Sequence, residues 1–456
     1  MLAELLTGAG LPASLAAHAV LTGAEPILRS SFRVDAAAQA SIAASGLTAA
    51  ALHAARGATM QEVAVDMRHA AVEFRSERHI RVDGAGMGES WDPIAGLYPT
   101  ADGFVRLHTN FPHHRDGILA LLGCDNARPA VAAALLRRRS VALETEATAT
   151  GLCVSAFRTH AQWLAHGQAA ALAAQPLITI ERIGHAPPTP LPPAMARPLA
   201  GFRVLDLTRV IAGPVAGRTL AAHGADVLHI SAPHLPSIPV LVMDTGRGKR
   251  SASLDLRHEA DLFAELVCGA DALLCSYRGG ALAGLGFSDE RLADLRPGIV
   301  VGHLSAYGMR GPWAGKRGFD SLTQTATGIN ADEAQAAGEV MPRVLPCQAL
   351  DHASGYLLAL GVMSAWMKRA REGGSWRVSV SLARTGLWLR SLGRLTDSFA
   401  VQEPSQDDIA DLLETHASGF GHLTAVRHAA VLPVTPTFEA WPAMPLGSSA
   451  AVWNTP

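Results

Sequence analysis

The chain has 456 residues, of which 49% are hydrophobic and 17% charged, and its formal net charge is −2 at pH 7. That length is enough for two or three domains, and that composition excludes a disordered chain. The balanced charge leaves no basic excess, so we expect no nucleic-acid partner. Every stretch of about 18 apolar residues contains a charge or a helix breaker, which predicts no transmembrane helix.

The five cysteines are scattered along the chain and form no CxxC pair. Their odd number and their spacing predict neither a disulfide framework nor a zinc site, and they fit a reducing compartment. The first residues include Glu4 and no basic region, which argues against a signal peptide. We therefore expect a cytoplasmic protein without a metal centre.

Residues 1–90 are expected to be mostly helical, with an Ala-rich helix over 36–56 and a short strand over 62–65. Part of this region is repeated later in the chain: residues 44–76 align with residues 359–391 with one gap. Both stretches contain an Ala-rich helix, a Gly turn, an alternating strand and a second helix. The matched pairs include Gly46 with Gly361, Val63 with Val378, and Arg75 with Arg390. One such repeat at a large separation indicates a duplicated element rather than a solenoid.

Residues 91–190 are predicted to form a smaller α+β domain, in which Phe104–His108 is an alternating strand followed by helices. The adjacent His113 and His114 would point in different directions in a strand or a helix, so they are poor joint metal ligands. Prolines then cluster over 187–198, which is typical of an extended linker.

From Gly201 onward, short apolar strands alternate with helices. The predicted strands are 202–207, 226–230, 251–256, 272–275 and 299–304. This alternation predicts a parallel sheet that is covered by helices on both faces.

The carboxyl ends of parallel strands lie at one edge of a sheet, so the loops that follow these strands gather there. These loops are rich in glycine and carry many cationic side chains: Arg209, Arg247, Lys249, Arg250, Arg278, Arg310, Lys316 and Arg317. Cations, glycine backbones and helix N-termini around a crevice suit a polyphosphate ligand.

Motifs of the commonest α/β enzymes are absent. The turn after the first strand, Ala212–Gly217, has no GxGxxG pattern, and the chain has neither a Walker A sequence nor a GxSxG elbow. Asp320 follows the last predicted strand and its glycine-rich loop, where open α/β sheets hold reactive groups. We predict Asp320 to be a nucleophile, and the alternative is a helix N-cap, a position that Asp favours.

A series of short motifs runs through the sheet region in a fixed order. They are Leu199–Pro214 (LAGFRVLDLTRVIAGP), Arg247–Ser251 (RGKRS), Tyr277–Gly280 (YRGG), Gly284–Phe287 (GLGF), Leu304–Gly308 (LSAYG), Gly318–Asp320 (GFD) and Ala349–Tyr356 (ALDHASGY). Taken together, they resemble the family III (CaiB/BaiF-type) CoA-transferases. The resemblance implies a Rossmann-like parallel-sheet domain with helices on both faces, plus a smaller α+β domain.

The resemblance also implies a role for each loop. Asp320 matches the catalytic aspartate, which would attack an acyl-CoA, pass through a mixed anhydride and an aspartyl-CoA thioester, and transfer the CoA to a carboxylic acid. Coenzyme A would then be a substrate, with no tightly bound cofactor. The implied CoA contacts are Val210, Ile211, Ala212, Lys249, Arg278, Gly308 and Trp313.

The order of the parts departs from the family. Residues 1–90 resemble the segment that normally follows the catalytic residue, and the smaller domain, 91–190, precedes the sheet. The catalytic domain is expected over 199–395, with 396–456 as a tail packing on it. This arrangement resembles a permuted or partly duplicated unit of the family, whose interlocked subunits imply a homodimer.

Two further functions remain open. After the second strand the family has an acidic residue followed by Arg and Pro, whereas this chain has Ser231-Ala232-Pro233. The missing contact suggests a non-catalytic CoA-binding subunit as one alternative. The other is an acyl-CoA racemase or epimerase, although Phe319 stands where such members show His. His303 and His352 are the candidate bases for that reaction.

Overall fold

The computed structural model of the protein describes residues 1–454. Its N-terminal region is mainly helical, and the longest helix there is buried along most of its length because its alanines allow neighbouring backbones to approach closely. The elements are α1 (Leu2–Gly8), a 3-10 helix (Ala13–His18), β1 (Ala19–Thr22), α2 (Val34–Ala55), β2 (Val63–Asp66), α3 (Met67–Glu73), a 3-10 helix (Ser76–His79), β3 (Arg81–Val82) and β4 (Ala85–Gly86).

The next region is a smaller α+β unit with its own apolar core, to which Tyr98, Val105, Ile118 and Leu143 contribute. Three antiparallel strands form its sheet. The elements are β5 (Gly96–Thr100), β6 (Gly103–Leu107), α4 (Pro112–Leu122), α5 (Arg128–Leu135), α6 (Ser140–Ala149), β7 (Val154–Ala156), α7 (His160–Leu164) and α8 (Gly167–Ala173).

A seven-stranded sheet follows. Its elements are β8 (Thr179–Gly184), β9 (Arg203–Leu207), α9 (Ala212–Ala222), β10 (Asp226–Ser231), α10 (Pro239–Thr245), β11 (Arg250–Ser253), α11 (Ala260–Cys268), β12 (Ala272–Cys275), α12 (Ala281–Gly284), α13 (Asp289–Leu295), β13 (Val300–Ser305), α14 (Asp320–Ala326), α15 (Ile329–Ala337), α16 (Ala349–Glu372), β14 (Ser375–Ser381) and α17 (Leu382–Ser391). The strand order is β11-β10-β9-β12-β13-β14-β8, and only β8 runs antiparallel to its neighbour.

The sheet is covered by helices on both faces, as the sequence predicts. Alternate residues of the strands enter two separate cores: Val204 and Val300 pack with α9 and α16, whereas Leu205 and Val301 pack with α11 and α13. Fully burying one such side chain contributes about 1.5–3 kcal/mol, so both faces stabilise the sheet. The α/β fold with a smaller α+β unit is therefore confirmed.

The chain ends as a tail that returns to the N-terminal region. It contains 3-10 helices at Ser398–Ala400 and Asp407–Leu412, followed by β15 (Leu413–Ser418) and β16 (Gly421–Val426). Strand β16 pairs with both β15 and β3, so the tail and the N-terminal region share one four-stranded sheet. Strand β8 lies within the segment 91–190, yet it forms the edge of the large sheet rather than part of the smaller one.

The internal sequence repeat corresponds to a repeated structure. Helix α2, strand β2 and helix α3 follow the same order as α16, β14 and α17, and α2 packs directly against α16. In both copies a helical glycine faces a valine of the following strand. An added Cβ would lie 2.9 Å from the Val63 Cγ1 at Gly46 and 2.5 Å from the Val378 Cγ1 at Gly361. This shared contact supports duplication of the element.

Candidate functional site

The loops at the carboxyl edge of the sheet surround a wide cavity of about 460 Å³. Val210, Ile211 and Ala212 form part of its wall, and Ala212 begins α9, whose N-terminus favours an anionic group. Five Arg and Lys side chains line the cavity: Arg209, Arg257, Arg278, Lys316 and Arg317. The predicted gathering of cationic loops is thus present, and Arg257 is an addition that the sequence pattern did not single out.

A second cavity, also of about 460 Å³, lies next to the first. Four residues line both cavities and form the partition between them: Val210, Ile211, Phe319 and Asp351. Asp320 lines the second cavity, directly after Phe319. The predicted nucleophile therefore lies where the two cavities adjoin. We call the first the wide cavity and the second the Asp320 chamber.

Asp320 is almost completely buried, with 1% of its surface exposed. Its Oδ2 accepts a hydrogen bond from the backbone N–H of Asp351 (2.9 Å), at the start of the 24-residue helix α16. It is not the N-cap of its own helix, because Phe319 occupies that position and Asp320 is the first helical residue. The N-cap alternative is wrong for α14, since the carboxylate instead satisfies the N-terminus of α16.

The acidity of Asp320 is unusual for a carboxyl group. Burial raises its pKa to about 6, against the opposing hydrogen bonds from the Asp351 backbone and the Gln324 side chain. Burial and the nearby charges of Asp320 and Glu77 also raise the pKa of Asp351 well above its usual value. The neighbouring carboxyl is thus favoured in its neutral form when Asp320 is ionised.

Gln324 orients the Asp320 carboxylate. Its Nε2 donates to Oδ1 of Asp320 at 2.5 Å. Its Oε1 accepts from Asn330 Nδ2 (3.1 Å) and from the backbone N–H of Leu345 (3.0 Å), which fixes the amide with its NH₂ toward Asp320. We did not identify Gln324, Asn330 or Asp351 from the sequence. Only the i, i+4 spacing of Asp320 and Gln324 on a helix could have indicated the first contact.

The loop between β9 and α9 has a strained backbone at Val210, whose φ is +75°. A β-branched residue in this region is a conformational outlier and costs on the order of 1–3 kcal/mol. Such strain persists where surrounding structure imposes it, often at functional sites. The strained residue lines both the wide cavity and the Asp320 chamber.

The structure brings only part of the predicted CoA contacts to the wide cavity. Val210, Ile211, Ala212 and Arg278 line it. Lys249 does not, because its Nζ is buried and bonds Asp206 Oδ2 (2.7 Å) and the carbonyl of Pro214 (2.8 Å). Lys249 also lines a smaller cavity that shares Arg209 and Val210 with the wide one, and its role as a CoA contact stays a prediction.

Gly308 and Trp313, two further predicted CoA contacts, face the smaller unit. A Cβ on Gly308, whose φ is +90°, would lie 3.0 Å from Leu172 of α8. The backbone N–H of Trp313 donates to Gln168 Oε1 (2.7 Å), and its ring lies 3.6 Å from the Nζ of Lys316. These two residues anchor the loop on α8, and neither lines the wide cavity or the Asp320 chamber.

Three other predicted cations are also engaged elsewhere. Arg247 pairs with Asp244 (3.2 Å) and Glu439 (2.7 Å). Two similar ion pairs join Arg250 to Asp226 and Arg310 to Glu181. Sequence position alone placed all of these cations at one edge, but local ion pairs direct them away from the wide cavity.

The two candidate racemase bases lie outside both cavities. Burial alone would lower the pKa of His303, but its ion pair with Asp289 (2.7 Å) raises it to about 9. The Nε2 of the fully buried His352 faces Glu77 at 3.3 Å. A different histidine, His108, lines the Asp320 chamber and stacks on Phe319 with ring centroids 3.6 Å apart.

Residues 199–418 match the sequence model of CoA-transferase family III. The matched segment runs from just before β9 to the end of β15 and covers slightly less than half of the chain. The chain is 34% identical to the acetyl-coenzyme A transferase nodX of Hypoxylon pulicicidum over 44% of this chain and 35% of that protein. It is 33% identical to the probable fatty acyl-CoA transferase Rv3272 of Mycobacterium tuberculosis over 43% of this chain and 53% of that protein.

The family match thus concerns the region of the large sheet, and the chain spans about a third to a half of the length of these curated relatives. A crystal structure of Rv3272 from Mycobacterium tuberculosis aligns with a TM-score of 0.40 and 32% identity, over 43% of this chain and 58% of that one. In residues 1–454, no helix is both long and apolar enough to cross a bilayer.

Proposed function

We propose that this protein is a member of CoA-transferase family III and that it transfers CoA from an acyl-CoA to a carboxylic acid, with Asp320 as the nucleophile. The observation that carries the proposal is the place of Asp320, which is buried where the wide cavity and the Asp320 chamber adjoin. An acceptor acid in the Asp320 chamber lies beside the carboxylate, and Phe319, the residue before Asp320, also lines the wide cavity. A nucleophile held by a helix N-terminus and a glutamine amide is also well oriented for attack.

The reaction balances without an added proton donor or oxidant. An Oδ of Asp320 attacks the thioester carbonyl, the C–S bond breaks, and CoA thiolate leaves a mixed anhydride. The thiolate attacks the aspartyl carbonyl and expels the donor acid as a carboxylate. The acceptor carboxylate then attacks the aspartyl-CoA thioester, and the released thiolate takes the new acyl group, which restores Asp320.

The wide cavity is the proposed site of CoA. Arg278, Arg317 and the N-terminus of α9 supply positive potential for its phosphates. Ser231 and Ala232 still leave the acidic-Arg-Pro contact of the family unfilled, but Arg257 lines the same cavity and bonds His234 Nδ1 at 2.9 Å. Arg257 is, however, paired with Asp255 in its own loop (2.6 Å), so Arg278 and Arg317 are the cations proposed to meet the phosphates.

Intact-mass spectrometry after incubation with a panel of acyl-CoAs tests this proposal. We expect a CoA adduct on the wild-type protein and none on Asp320→Ala. A protein that binds CoA without ever forming an adduct or transferring CoA would favour the non-catalytic subunit and overturn the proposal.

An acyl-CoA epimerase is the second candidate, and the position of His108 favours it. Its ring lines the same chamber as Asp320, and neither ring nitrogen has a hydrogen-bond partner within residues 1–454. Burial lowers the pKa of His108 well below its usual value, which keeps the ring in the neutral form of a base but makes that base a weak one. Exchange of the α-proton of an acyl-CoA in heavy water, lost in His108→Gln, would identify this activity.

We also propose a homodimer, on the resemblance to the interlocked subunits of the family. Light scattering of the purified chain tests this directly. A mass near the 47.7 kDa of one chain would contradict it.

A further inference from the structure

The Asp320 chamber takes much of its wall from outside the family segment 199–418. Glu77, Arg78, Ile80 and Met87 line it from the N-terminal region, and Trp91, His108 and Asn110 line it from the segment 91–190. The chamber is thus shaped in part by residues outside the segment that matches the family model.

Polar and apolar side chains both line the chamber, and the apolar ones come in two groups. Ile80, Met87 and Trp91 form one group, and Ile238, Val240 and Leu241, at the start of α10, form the other. A water molecule takes up about 30 Å³ of liquid, so a chamber of about 460 Å³ is many times larger than an acetyl group needs. It lies in the range of about 300–1,000 Å³ that encloses drug-sized ligands.

Trp91 is held in place rather than free. The guanidinium carbon of Arg106 lies 5.3 Å from the centre of its ring, and the ring of His108 meets it edge-on at 5.7 Å. His108 is itself stacked on Phe319, the residue before Asp320. A continuous aromatic surface therefore runs from Trp91 to the nucleophile, and such a surface suits a flat or extended apolar group.

Arg78 is the one Arg or Lys that lines this chamber among residues 1–454. Its Nε lies 3.6 Å from Glu77 Oε1, and its side chain is 42% exposed. Its two Nη groups have no hydrogen-bond partner within those residues, so they are open to a carboxylate.

We propose that the Asp320 chamber selects a carboxylic acid with a medium-length or aromatic apolar body, and that Arg78 attracts the carboxylate of the free acid. This inference rests on the proposed CoA transfer and adds its substrate class. The two apolar groups stabilise the body of the acid. Arg78 offsets part of the cost of bringing an anion into a chamber that Glu77, Glu89, Asp320 and Asp351 also line. Short acids such as acetate leave most of the chamber unfilled.

The selection is tested by CoA transfer from one donor to acetate, butyrate, octanoate and cinnamate. We expect kcat/KM for octanoate or cinnamate to exceed that for acetate by at least about tenfold. Met87→Trp, at a site 38% exposed and thus tolerant of a larger ring, should fill the chamber and remove most of this preference. Met341→Trp, at a site 48% exposed and outside both cavities, is the matched control and should keep the preference.

The role of Arg78 is tested separately, by measuring KM for the acceptor acid. Arg78→Gln should raise KM for the acceptor acid about tenfold with little change in kcat, because the cation acts on binding. Arg371→Gln, at an exposed site on α16 away from both cavities, should leave KM unchanged. Unchanged KM in Arg78→Gln would overturn the anchoring role.

Mass spectrometry of the CoA adduct distinguishes failure of the proposed acid selection from failure of the proposed CoA transfer. An adduct on Asp320 with equal transfer to all four acids, or with a preference for acetate, would overturn only the selection of apolar acids. Absence of any adduct and any transfer would overturn the proposed function, and the selection with it.

Discussion

The helix–strand–helix unit of α2, β2 and α3 and its repeat in α16, β14 and α17 share a backbone plan but differ in chemistry. In both, the strand is followed by a helix whose N-cap side chain accepts a backbone N–H: Asp66 from His69 and Ser381 from Arg384. In both, the first helix is buried and carries a glycine against a valine. The common features are thus those that pack one helix against a strand.

The units differ at the start of their long helices. Asp35, in the first turn of α2, is buried, and its Oδ2 accepts a hydrogen bond from the backbone N–H of Ile27 (2.7 Å). Asp320 lies outside α16 but accepts a hydrogen bond from the backbone at the start of that helix. Burial raises the pKa of each carboxyl group to about 6. Only Asp320 adjoins a chamber, since Asp35 lines neither of the two cavities. A buried carboxylate with a raised pKa is therefore no sign of catalysis until space for a substrate lies beside it.

The largest difference is expected between alanine substitutions of these two carboxylates. Asp320→Ala should abolish the CoA adduct and lower transfer by at least about a thousandfold, because the nucleophile is lost. Asp35→Ala should retain the adduct and destabilise the protein by roughly 1–3 kcal/mol, because two backbone N–H groups lose their acceptor. Intact mass and thermal unfolding measure both. An adduct on Asp320→Ala would place the nucleophile elsewhere.

A smaller effect is expected at the residue that orients Asp320. Gln324→Ala should lower transfer about 10- to 100-fold, because the carboxylate loses a fixed donor. In the wild type, kcat/KM should rise with pH through about 6 as Asp320 ionises. Since Gln324 stabilises the ionised form, its loss should move this rise to higher pH. A pH profile with an unshifted midpoint would contradict the role given to the amide.

The shared glycine contact gives a test of packing. Gly361→Ala should destabilise the protein by about 1–3 kcal/mol, because its Cβ would lie 2.5 Å from Val378 Cγ1 and 3.0 Å from Ile178 Cγ2. Gly46→Ala should cost less, since its nearest contact is 2.9 Å. Adding Val378→Ala to Gly361→Ala should recover part of the loss, and urea unfolding of the double-mutant cycle measures the coupling.

The smallest effect is a pH dependence of stability that the two carboxylates should share. Because the native pKa of each is raised, the native state binds its proton more tightly, and stability falls as pH rises from the unfolded pKa near 3.8 through about 6. Asp320→Asn and Asp35→Asn should each remove this loss and gain about 1–2 kcal/mol over wild type at pH 8, with no gain at pH 3.5. A gain that is independent of pH would argue against buried ionisation as its cause.

Much of the fold could be predicted from the sequence. Apolar runs of strand length alternating with helices predicted the parallel sheet, since a strand buried on both faces must be apolar throughout. The strand Ala272–Cys275 was predicted with its observed bounds, and the carboxyl-edge loops with Asp320 were placed correctly in the fold. The pairing of β8 with β14 was missed, because the period of a short strand does not tell which sheet it joins.

The site could be predicted only in part. By itself, the sequence determined the residue types, the family motifs and the position of Asp320 after its strand, because these depend on local spacing. Only the tertiary structure decided that Lys249 lies behind the loop, that Asp320 satisfies the start of α16, and that distant residues such as Trp91 enclose the chamber. Those facts depend on ion pairs, hydrogen bonds and packing between residues far apart in the chain, and local periodicity contains no information about which distant groups will meet.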